Sequence, residues 1–213
     1  LKLLFFFPAP IILAILLNEV RNNKYKRVVQ TITYMPHFLS WVVLAGIILA
    51  FLSPSSGPVN AVIRAFGGRP VLFVAEDLWF RPILVISTIW KDLGWGSIVY
   101  LAALSNAGPQ LYEAAVLDGA NRLQQIRYIT LPVLVPVIVI MLIFAVGRIV
   151  NDDFEQILNL YNPLVYDVGD VMQTFVYRNG LQNARFAFAT AAGLVRNVLS
   201  FVLVVGTNWI ARR

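Results

Sequence analysis

The chain has 213 residues, of which 59% are hydrophobic and only 13% are charged. Soluble proteins carry roughly 25% charged residues, and an intrinsically disordered chain would be far less hydrophobic. The composition therefore favours an integral membrane protein. The chain has no cysteine and a single histidine, His37, which excludes disulfides, thiolate metal sites and a histidine cluster.

Five apolar stretches approach the length of about 20 residues that a helix needs to cross a bilayer. They lie at 3–17, 35–52, 82–104, 131–150 and 186–211. Membrane β-strands would alternate apolar and polar residues, whereas these stretches are nearly solid. We therefore predict an all-α integral membrane fold, a polytopic helical bundle that forms a single transmembrane domain over 1–213. Because the first stretch is short and the chain opens on Leu1, we expect a fragment that begins inside or just before a helix.

The distribution of lysine and arginine predicts which loops face the cytoplasm. Loops 18–33 and 107–130 and the C-terminal tail together hold eight of these residues, and loops 53–81 and 151–185 hold five. The first group is therefore predicted to be cytoplasmic, with the C-terminus inside. The net charge of +6 then mainly reflects basic side chains that face anionic lipid on this side of the membrane.

The loop at 107–130 has the pattern of two short helices joined by a sharp turn. Pro109 suits the first position of a helix, and the residues at 110–117 are mostly good helix formers. Gly119 follows them, at the position where helices commonly end in a left-handed residue. A second amphipathic run lies at 121–129. Because ordering such a structure costs entropy, we interpret the loop as a docking element for a partner.

The same loop matches the pattern EAA-x3-G-x9-I-x-LP at every fixed position. The matching residues are Glu113, Ala114, Ala115, Gly119, Ile129, Leu131 and Pro132. This pattern resembles the EAA loop in the membrane subunits of bacterial ABC importers. Three runs are similar to the carbohydrate branch of that family: YEAAVLDGAN at 112–121, which contains Asp118, YMPHFLSW at 34–41 and WKDLGW at 90–95. The segment 154–180 resembles the subgroup for oligosaccharides and polysaccharides, alginate included.

The resemblance covers nearly the whole chain. It implies a permease subunit that imports a carbohydrate across the bacterial inner membrane by alternating access. Members of the family usually carry another helix before the first one seen here, so five spans imply a fragment of a six-span subunit. The implied partners are two ATPase subunits, a second, homologous permease subunit and an extracytoplasmic solute-binding protein. No nucleic-acid partner is implied, because no basic run is interleaved with aromatic residues in a solvated region.

The resemblance also implies how the loop acts. Its first helix would sit in a groove of the ATPase and transmit ATPase closure to the spans as a rigid-body motion. Glu113 could pair with a basic side chain of the partner or cap the N-terminus of its own helix. The chain lacks the phosphate-binding motif G-x4-G-K-[ST]. We therefore expect ATP and Mg²⁺ on the partner subunit, no cofactor or metal in this chain, and no enzyme activity.

Three charged residues lie near the middle of predicted spans. Lys91 and Asp92 interrupt the third span, and Arg196 interrupts the fifth. A lipid-facing charge at that depth costs at least about 2.5–3.5 kcal/mol, so these side chains should face helices, a cavity or each other. Either they line a polar substrate path, or the cause is structural. In the structural case the third span begins later than drawn, or Asp92 pairs with Arg196.

Aromatic side chains are the other candidates for a substrate path. Sugars offer apolar ring faces, so a sugar path needs aromatic platforms beside polar groups. Trp90, Trp95 and Tyr100 share the third span with the charged pair, and Trp41 lies in the second span. An aromatic belt at the membrane interfaces is the alternative interpretation. His37 is expected to be an ordinary interfacial residue.

Other functions stay open from the residues alone. An ion-gradient-driven transporter or channel would have repeated halves with broken helices, and no internal repeat is visible. A membrane-embedded enzyme would use the outer-loop acids Asp152, Asp153 and Glu155. We interpret these acids instead as solvated groups that face a partner, since loops this long are usually functional or linkers. An ABC importer for a solute other than a sugar also stays open, because only the resemblance to the carbohydrate branch argues against it.

Overall fold

The computed structural model describes residues 2–148 and 154–211, and every regular element in these residues is helical. In chain order the α-helices are α1 (Lys2–Phe6), α2 (Pro8–Glu19), α3 (Asn23–Tyr34), α4 (Trp41–Leu52), α5 (Pro58–Ala65), α6 (Asp77–Ser105), α7 (Pro109–Leu117), α8 (Arg122–Gln125), α9 (Leu131–Gly147), α10 (Phe154–Leu160), α11 (Tyr166–Gly169), α12 (Met172–Val176) and α13 (Phe186–Ala211). Short 3-10 turns cover Met35–Phe38 and Pro163–Val165, and π-helical turns cover Ile126–Thr130 and Tyr177–Leu181. The all-α prediction is confirmed.

The helices form two compact units, described here separately. The first unit comprises Leu1–Phe38, Thr88–Val146 and Val204–Arg213, and the second comprises Leu39–Ser87 and Gly147–Leu203. The segments predicted as loops at 18–33, 53–81 and 151–185 contain α3, α5 and α10 to α12. The acids Asp152 and Asp153, and the end of the fourth predicted span, lie outside the described residues.

The core of the first unit is apolar and brings α2, α6 and α9 together. Ala14, Tyr100, Leu104 and Leu134 are buried there. Partly buried side chains such as Ile11 pack around them. Dispersion contacts, each small but numerous, hold such a core together.

Small residues let α6 approach α3 and α2 at van der Waals distance. A β-carbon placed on Gly94 would overlap the backbone carbonyl of Thr33 in α3, and one placed on Gly96 would lie 3.0 Å from the ring of Pro10 in α2. The buried Ser97 hydroxyl donates to the Gly94 carbonyl, 2.6 Å away. These positions set the spacing between helices in the first unit.

The second unit packs Phe80 and Leu84 of α6 against Ile157 of α10. The unit also buries an amide, because the side-chain NH₂ of Gln156 donates at 2.8 Å to both the Leu84 carbonyl and the Ser87 hydroxyl. An amide buried without such partners would be strongly unfavourable. The two hydrogen bonds therefore hold α10 against α6.

Two helices of the described chain are long and apolar enough to cross a membrane by themselves, Arg122–Gly147 and Phe186–Trp209. A third candidate consists of two helical segments, Asn23–Phe38 and Trp41–Leu52, which pass the test only as a pair and are bent by 103° at the break between them. The apolar helix Leu3–Glu19 is too short to qualify, and α6 is long enough, with 29 residues, but more polar. By length and composition the structure supports two or three spans where the sequence predicted five. Each of the five predicted stretches nevertheless contains helix.

The close contact at Gly94 leads to a first prediction. Gly94→Ala should lower the stability of the detergent-purified protein by about 1–3 kcal/mol, because overpacking forces two helices apart. The matched control is Gly46→Ala in α4, where an added β-carbon meets no atom within 4 Å. Removing a helical glycine there should leave stability unchanged or raise it by up to about 1 kcal/mol. Thermal unfolding followed by circular dichroism measures both variants, and equal melting temperatures would contradict the contact.

Candidate coupling site

The first half of the loop at 107–130 is the helix α7. Pro109 lies in its first turn, as predicted. The helix is followed by Gly119, whose φ of +79° is a left-handed conformation that glycine adopts without strain. The amide of Ala120 donates to the Ala115 carbonyl at 2.8 Å and closes the helix end. A side chain at Gly119 would meet no atom within 4 Å, so the backbone conformation alone requires glycine there.

The second half of the loop begins a new helix. The side-chain oxygen of Asn121 accepts from the Gln124 amide at 2.9 Å, and the Gln124 side chain accepts from the Asn121 amide at 2.8 Å. The buried Gln125 side chain donates to the Ala120 carbonyl at 2.9 Å. These bonds form a capping box and hold the turn between α7 and α8 in a defined shape. The new helix continues as Arg122–Gly147.

One side-chain contact closes the loop on itself, and another joins it to α2. The Tyr112 hydroxyl in α7 lies 3.1 Å from the Thr130 hydroxyl in the π-helical turn. Arg122, at the start of α8, donates at 3.0 Å to the carboxylate of Glu19, the last residue of α2. A cation at a helix N-terminus and an anion at a helix C-terminus both oppose the helix dipole. The two charges therefore do not stabilise their own helices. Their contribution is the ion pair itself, which links α2 to α8.

A cavity of about 650 Å³ lies beside α7, and its wall includes Glu19, Glu113 and Arg122. Glu113 is exposed and lies beyond the first turn of α7. The alternative that Glu113 caps its own helix is therefore wrong, since a cap must reach the first amides. Leu117 and Leu123 are 88% and 76% exposed. These large apolar side chains form an uncovered surface at the tip of the loop, which is typical of a protein contact site.

All predicted coupling residues lie in this helix–turn–helix or at the start of the helix that follows it. Ala114 and Ala115 lie on α7, Asp118 ends it, Ile129 lies in the π-helical turn, and Leu131 and Pro132 begin α9. The loop thus combines an apolar tip with a turn whose shape is set by hydrogen bonds. Such an element can dock on a partner and move as one piece.

Lys91, Asp92 and Trp95 in α6 meet His37, and we call these four residues the His37 cluster. His37 Nδ1 lies 2.7 Å from Asp92 Oδ1, and the His37 ring stacks on Trp95 with centroids 4.5 Å apart. Lys91 donates to the His37 carbonyl at 2.8 Å. His37 therefore has three contacts on α6, and its interfacial position stays a prediction. The helix α6 begins at Asp77 and runs through the charged pair, and the point at which a membrane span would begin stays a prediction.

The other pathway candidates have different surroundings, described here unit by unit. Tyr100 belongs to the apolar core of the first unit, and Trp90 is about half exposed. In the second unit Trp41 is buried, and Arg196 lines a cavity of about 430 Å³. Asp92 pairs with His37, whereas the sequence offered Arg196 as one possible partner.

The segment after α10 contains a polar network that its sequence did not reveal. Asp170 accepts a hydrogen bond from the Thr174 hydroxyl at 2.6 Å and another from the Arg178 guanidinium at 2.5 Å. Arg178 also lies over the Tyr166 ring, 4.4 Å from its centroid. The hydrogen bond to Asp170 raises the pKa of Arg178 above its ordinary value. The network holds α11, α12 and the following π-helical turn together.

The fold and the site define a polytopic helical membrane protein with a helix–turn–helix whose shape is set by hydrogen bonds. Residues 7–213 match the family described as binding-protein-dependent transport system inner membrane component. The chain is 42% identical over 213 residues to protein LplB of Bacillus subtilis (strain 168), across all of this chain and 67% of LplB. It is 41% identical over 213 residues to the polygalacturonan/rhamnogalacturonan transport system permease protein YteP of the same organism, across all of this chain and 66% of YteP.

The structure is also similar to a chain in the crystal structure of a bacterial alginate ABC transporter in complex with alginate pentasaccharide-bound periplasmic protein. The TM-score is 0.96 at 48% sequence identity, over all of this chain and 74% of that chain. The chain therefore belongs to the family of binding-protein-dependent transport system inner membrane components. It spans about two thirds of the length of the curated relatives that it matches.

Family membership confirms the resemblance to sugar-transporter permeases. It also confirms a place in the inner membrane and the prediction that the chain is not an enzyme. The cytoplasmic position of the C-terminus and the roles of individual site residues stay predictions. The Glu19–Arg122 pair and the contacts of His37 were missed by sequence reasoning, because the partners are distant in the sequence.

The Glu19–Arg122 pair leads to a second prediction. Glu19→Gln and Arg122→Gln should each lower the free energy of unfolding by only about 0.5 kcal/mol, because the pair is partly exposed. The exchanged variant, Glu19→Arg with Arg122→Glu, keeps the pair and makes both helix-end interactions favourable. It should be at least as stable as the original chain. Thermal unfolding in a double-mutant cycle measures the interaction, and an exchanged variant less stable than either single variant would contradict it.

Proposed function

We propose that this chain is the permease subunit of an ATP-driven importer that moves an oligosaccharide or polysaccharide across the bacterial inner membrane. The observation that carries the proposal is the anchored helix–turn–helix at 107–130 in a chain of this transport family. YteP is named as a permease for polygalacturonan and rhamnogalacturonan, and the similar structure is of an alginate ABC transporter. These names support a sugar polymer as the substrate.

The loop would dock on a separate ATPase subunit that binds ATP and Mg²⁺. Burial of Leu117 and Leu123 against that subunit would stabilise the complex by about 25 cal/mol per Å² of apolar surface. Glu113 offers a carboxylate to a basic side chain of the partner. Tyr112 ties α7 to the π-helical turn, and Arg122 ties the start of α8 to α2. Because of these contacts, movement of the ATPase would reach the helices as a rigid-body motion.

The complete importer would contain a second permease subunit, two ATPase subunits and an extracytoplasmic solute-binding protein. The related alginate transporter was crystallised with a periplasmic protein that holds an alginate pentasaccharide, which supports delivery of the sugar by such a protein. Alternating access would then release the sugar on the cytoplasmic side. A transporter of this kind has at least two global states, and the ATPase shifts the population between them.

The His37 cluster is the best candidate for a contact with the sugar. Trp95 is 47% exposed although His37 stacks on it, so part of the indole remains available to an apolar sugar face. Asp92 lies beside it and can accept hydrogen bonds from sugar hydroxyls. An aromatic face next to a carboxylate suits a carbohydrate better than it suits an apolar solute.

A third prediction tests the coupling role by purification of the importer in mild detergent. The ATPase subunit should copurify with the original chain, and Gly119→Val should lower its recovery about tenfold. The reason is that a non-glycine residue in the left-handed conformation costs about 1–2 kcal/mol, and valine is among the residues least suited to it. Mass spectrometry of the purified complex measures the recovery.

The matched control is Gly108→Val. Gly108 has an ordinary φ of −61°, and an added β-carbon would come no closer than 3.9 Å to a neighbouring atom, so recovery of the ATPase should not change. If no nucleotide-binding partner copurifies with the original chain, the importer is wrong and an ion-gradient-driven transporter or channel gains support. A copurifying binding protein that holds a solute other than a sugar would keep the ABC class and overturn the substrate.

A further inference from the structure

Helix α3 carries an apolar stripe that the described chain leaves uncovered. Tyr25, Val28, Ile32 and Met35 recur at intervals of three and four residues, which places them on one face of the helix. Each of these side chains is between 56% and 63% exposed, and Met35 begins the 3-10 turn that directly follows α3. Apolar side chains in such a continuous row mark a contact surface.

The opposite face of α3 packs on the first unit. A β-carbon on Gly94 of α6 would overlap the Thr33 carbonyl, so the two backbones lie in direct contact there. Val29 and Tyr34 are half-buried on the same side. One face of α3 is therefore held by protein, and the stripe points away from it.

Basic residues accompany the stripe. Arg21, Lys24, Lys26 and Arg27 lie within one short segment, and the sequence contains no aspartate or glutamate between residues 20 and 75. Within the described residues none of the four forms an ion pair. At 100° per residue, Lys24 and Arg27 flank the stripe on one side. Long basic side chains in this position can lay their methylene stems on an apolar surface and extend the charge beyond it.

We propose that α3 lies in the membrane interface and binds the anionic phospholipid surface of the leaflet that the lysine and arginine count assigns to the cytoplasm. The stripe would enter the boundary between headgroups and acyl chains, and the flanking cations would contact phosphate groups. A helix with an apolar face and a basic flank has the composition of interfacial anchors. Clusters of four or more basic residues beside a membrane span also favour anionic lipid.

The neighbouring segments support lipid as the occupant of this surface. α3 lies between two apolar helices, Leu3–Glu19 and α4. Both belong to stretches that the sequence predicts as spans, so the chain would reach α3 from the membrane and return to it afterwards. α3 itself, with 12 residues and three basic side chains, is too short and too polar to span a bilayer alone. A protein partner would need a matching acidic and apolar groove, whereas a bilayer surface supplies both features along the whole stripe.

Fluorescence quenching in vesicles tests the proposal, and it does not depend on the proposed transport activity. The chain contains no cysteine, so Ile32→Cys provides one attachment site for a fluorophore in the reconstituted chain. The vesicles contain phosphatidylcholine alone or an equimolar mixture with phosphatidylglycerol, with nitroxide lipids labelled near the headgroup or near the acyl end. Quenching should be stronger from the headgroup-proximal nitroxide and should increase when phosphatidylglycerol is present.

Charge variants make the test specific. Lys24→Gln with Arg27→Gln should reduce the increase in quenching that phosphatidylglycerol causes. Each cation contributes about 1 kcal/mol near an anionic surface, so each removal should weaken the preference for phosphatidylglycerol about fivefold. Arg69→Gln with Arg185→Gln removes the same charge from the loops predicted to lie on the other side of the membrane and should have no effect. A fluorophore at Leu117→Cys, in the exposed tip of the coupling loop, should be quenched weakly by both nitroxides.

Three results would overturn the proposal. Equal quenching in the two lipid mixtures would exclude recognition of anionic headgroups. Stronger quenching by the nitroxide near the acyl end would place α3 inside the hydrocarbon rather than at the interface. Protection of the Ile32→Cys fluorophore from both nitroxides on addition of the ATPase or a second permease subunit would make the stripe a protein interface.

Discussion

The constraint on which this structure depends is that polar groups away from water need partners inside the protein. Hydrocarbon offers no hydrogen bonds, so the backbone satisfies itself by forming helices. Polar side chains follow the same rule. Asn60 is fully buried and binds three carbonyls and the Val71 amide, and Gln156 binds two acceptors on α6. Lys91 and Asp92 both bind His37. The polar side chains of the helices thus act as tertiary links.

The coupling loop is stabilised differently, because it lies at the surface and has few contacts with other helices. Local hydrogen bonds do most of this: Asn121 and Gln124 cap α8 reciprocally, and Gly119 accepts a backbone conformation that strains other residues. In the described part of the chain, Tyr112 also bonds to Thr130 and Arg122 to Glu19 of α2. A loop built in this way stays rigid when it is displaced as a whole, which suits an element that passes motion from one subunit to another.

Exposed apolar surface occurs in three settings in the described chain, and the nearby charges differ between them. The helix Phe186–Trp209 is apolar with no buried residue in its most apolar window, as expected of a helix that faces lipid tails or other membrane helices. The tip of the coupling loop combines Leu117 with the carboxylate of Glu113, which suits a protein partner. The stripe on α3 lies beside Lys24 and Arg27, which suits anionic headgroups. Exposure alone would not separate these surfaces.

The sequence by itself determined whatever depends on neighbouring residues. The helical membrane class followed from long apolar runs, the turn of the coupling loop from Pro109 and Gly119, and the family from residues at fixed spacing within that loop. The tertiary structure alone decided the contacts between distant residues. Glu19 and Arg122 are 103 positions apart, and His37 and Asp92 are 55 apart. A periodic pattern reports which face of a helix is apolar, whereas the choice of partner depends on how whole helices pack.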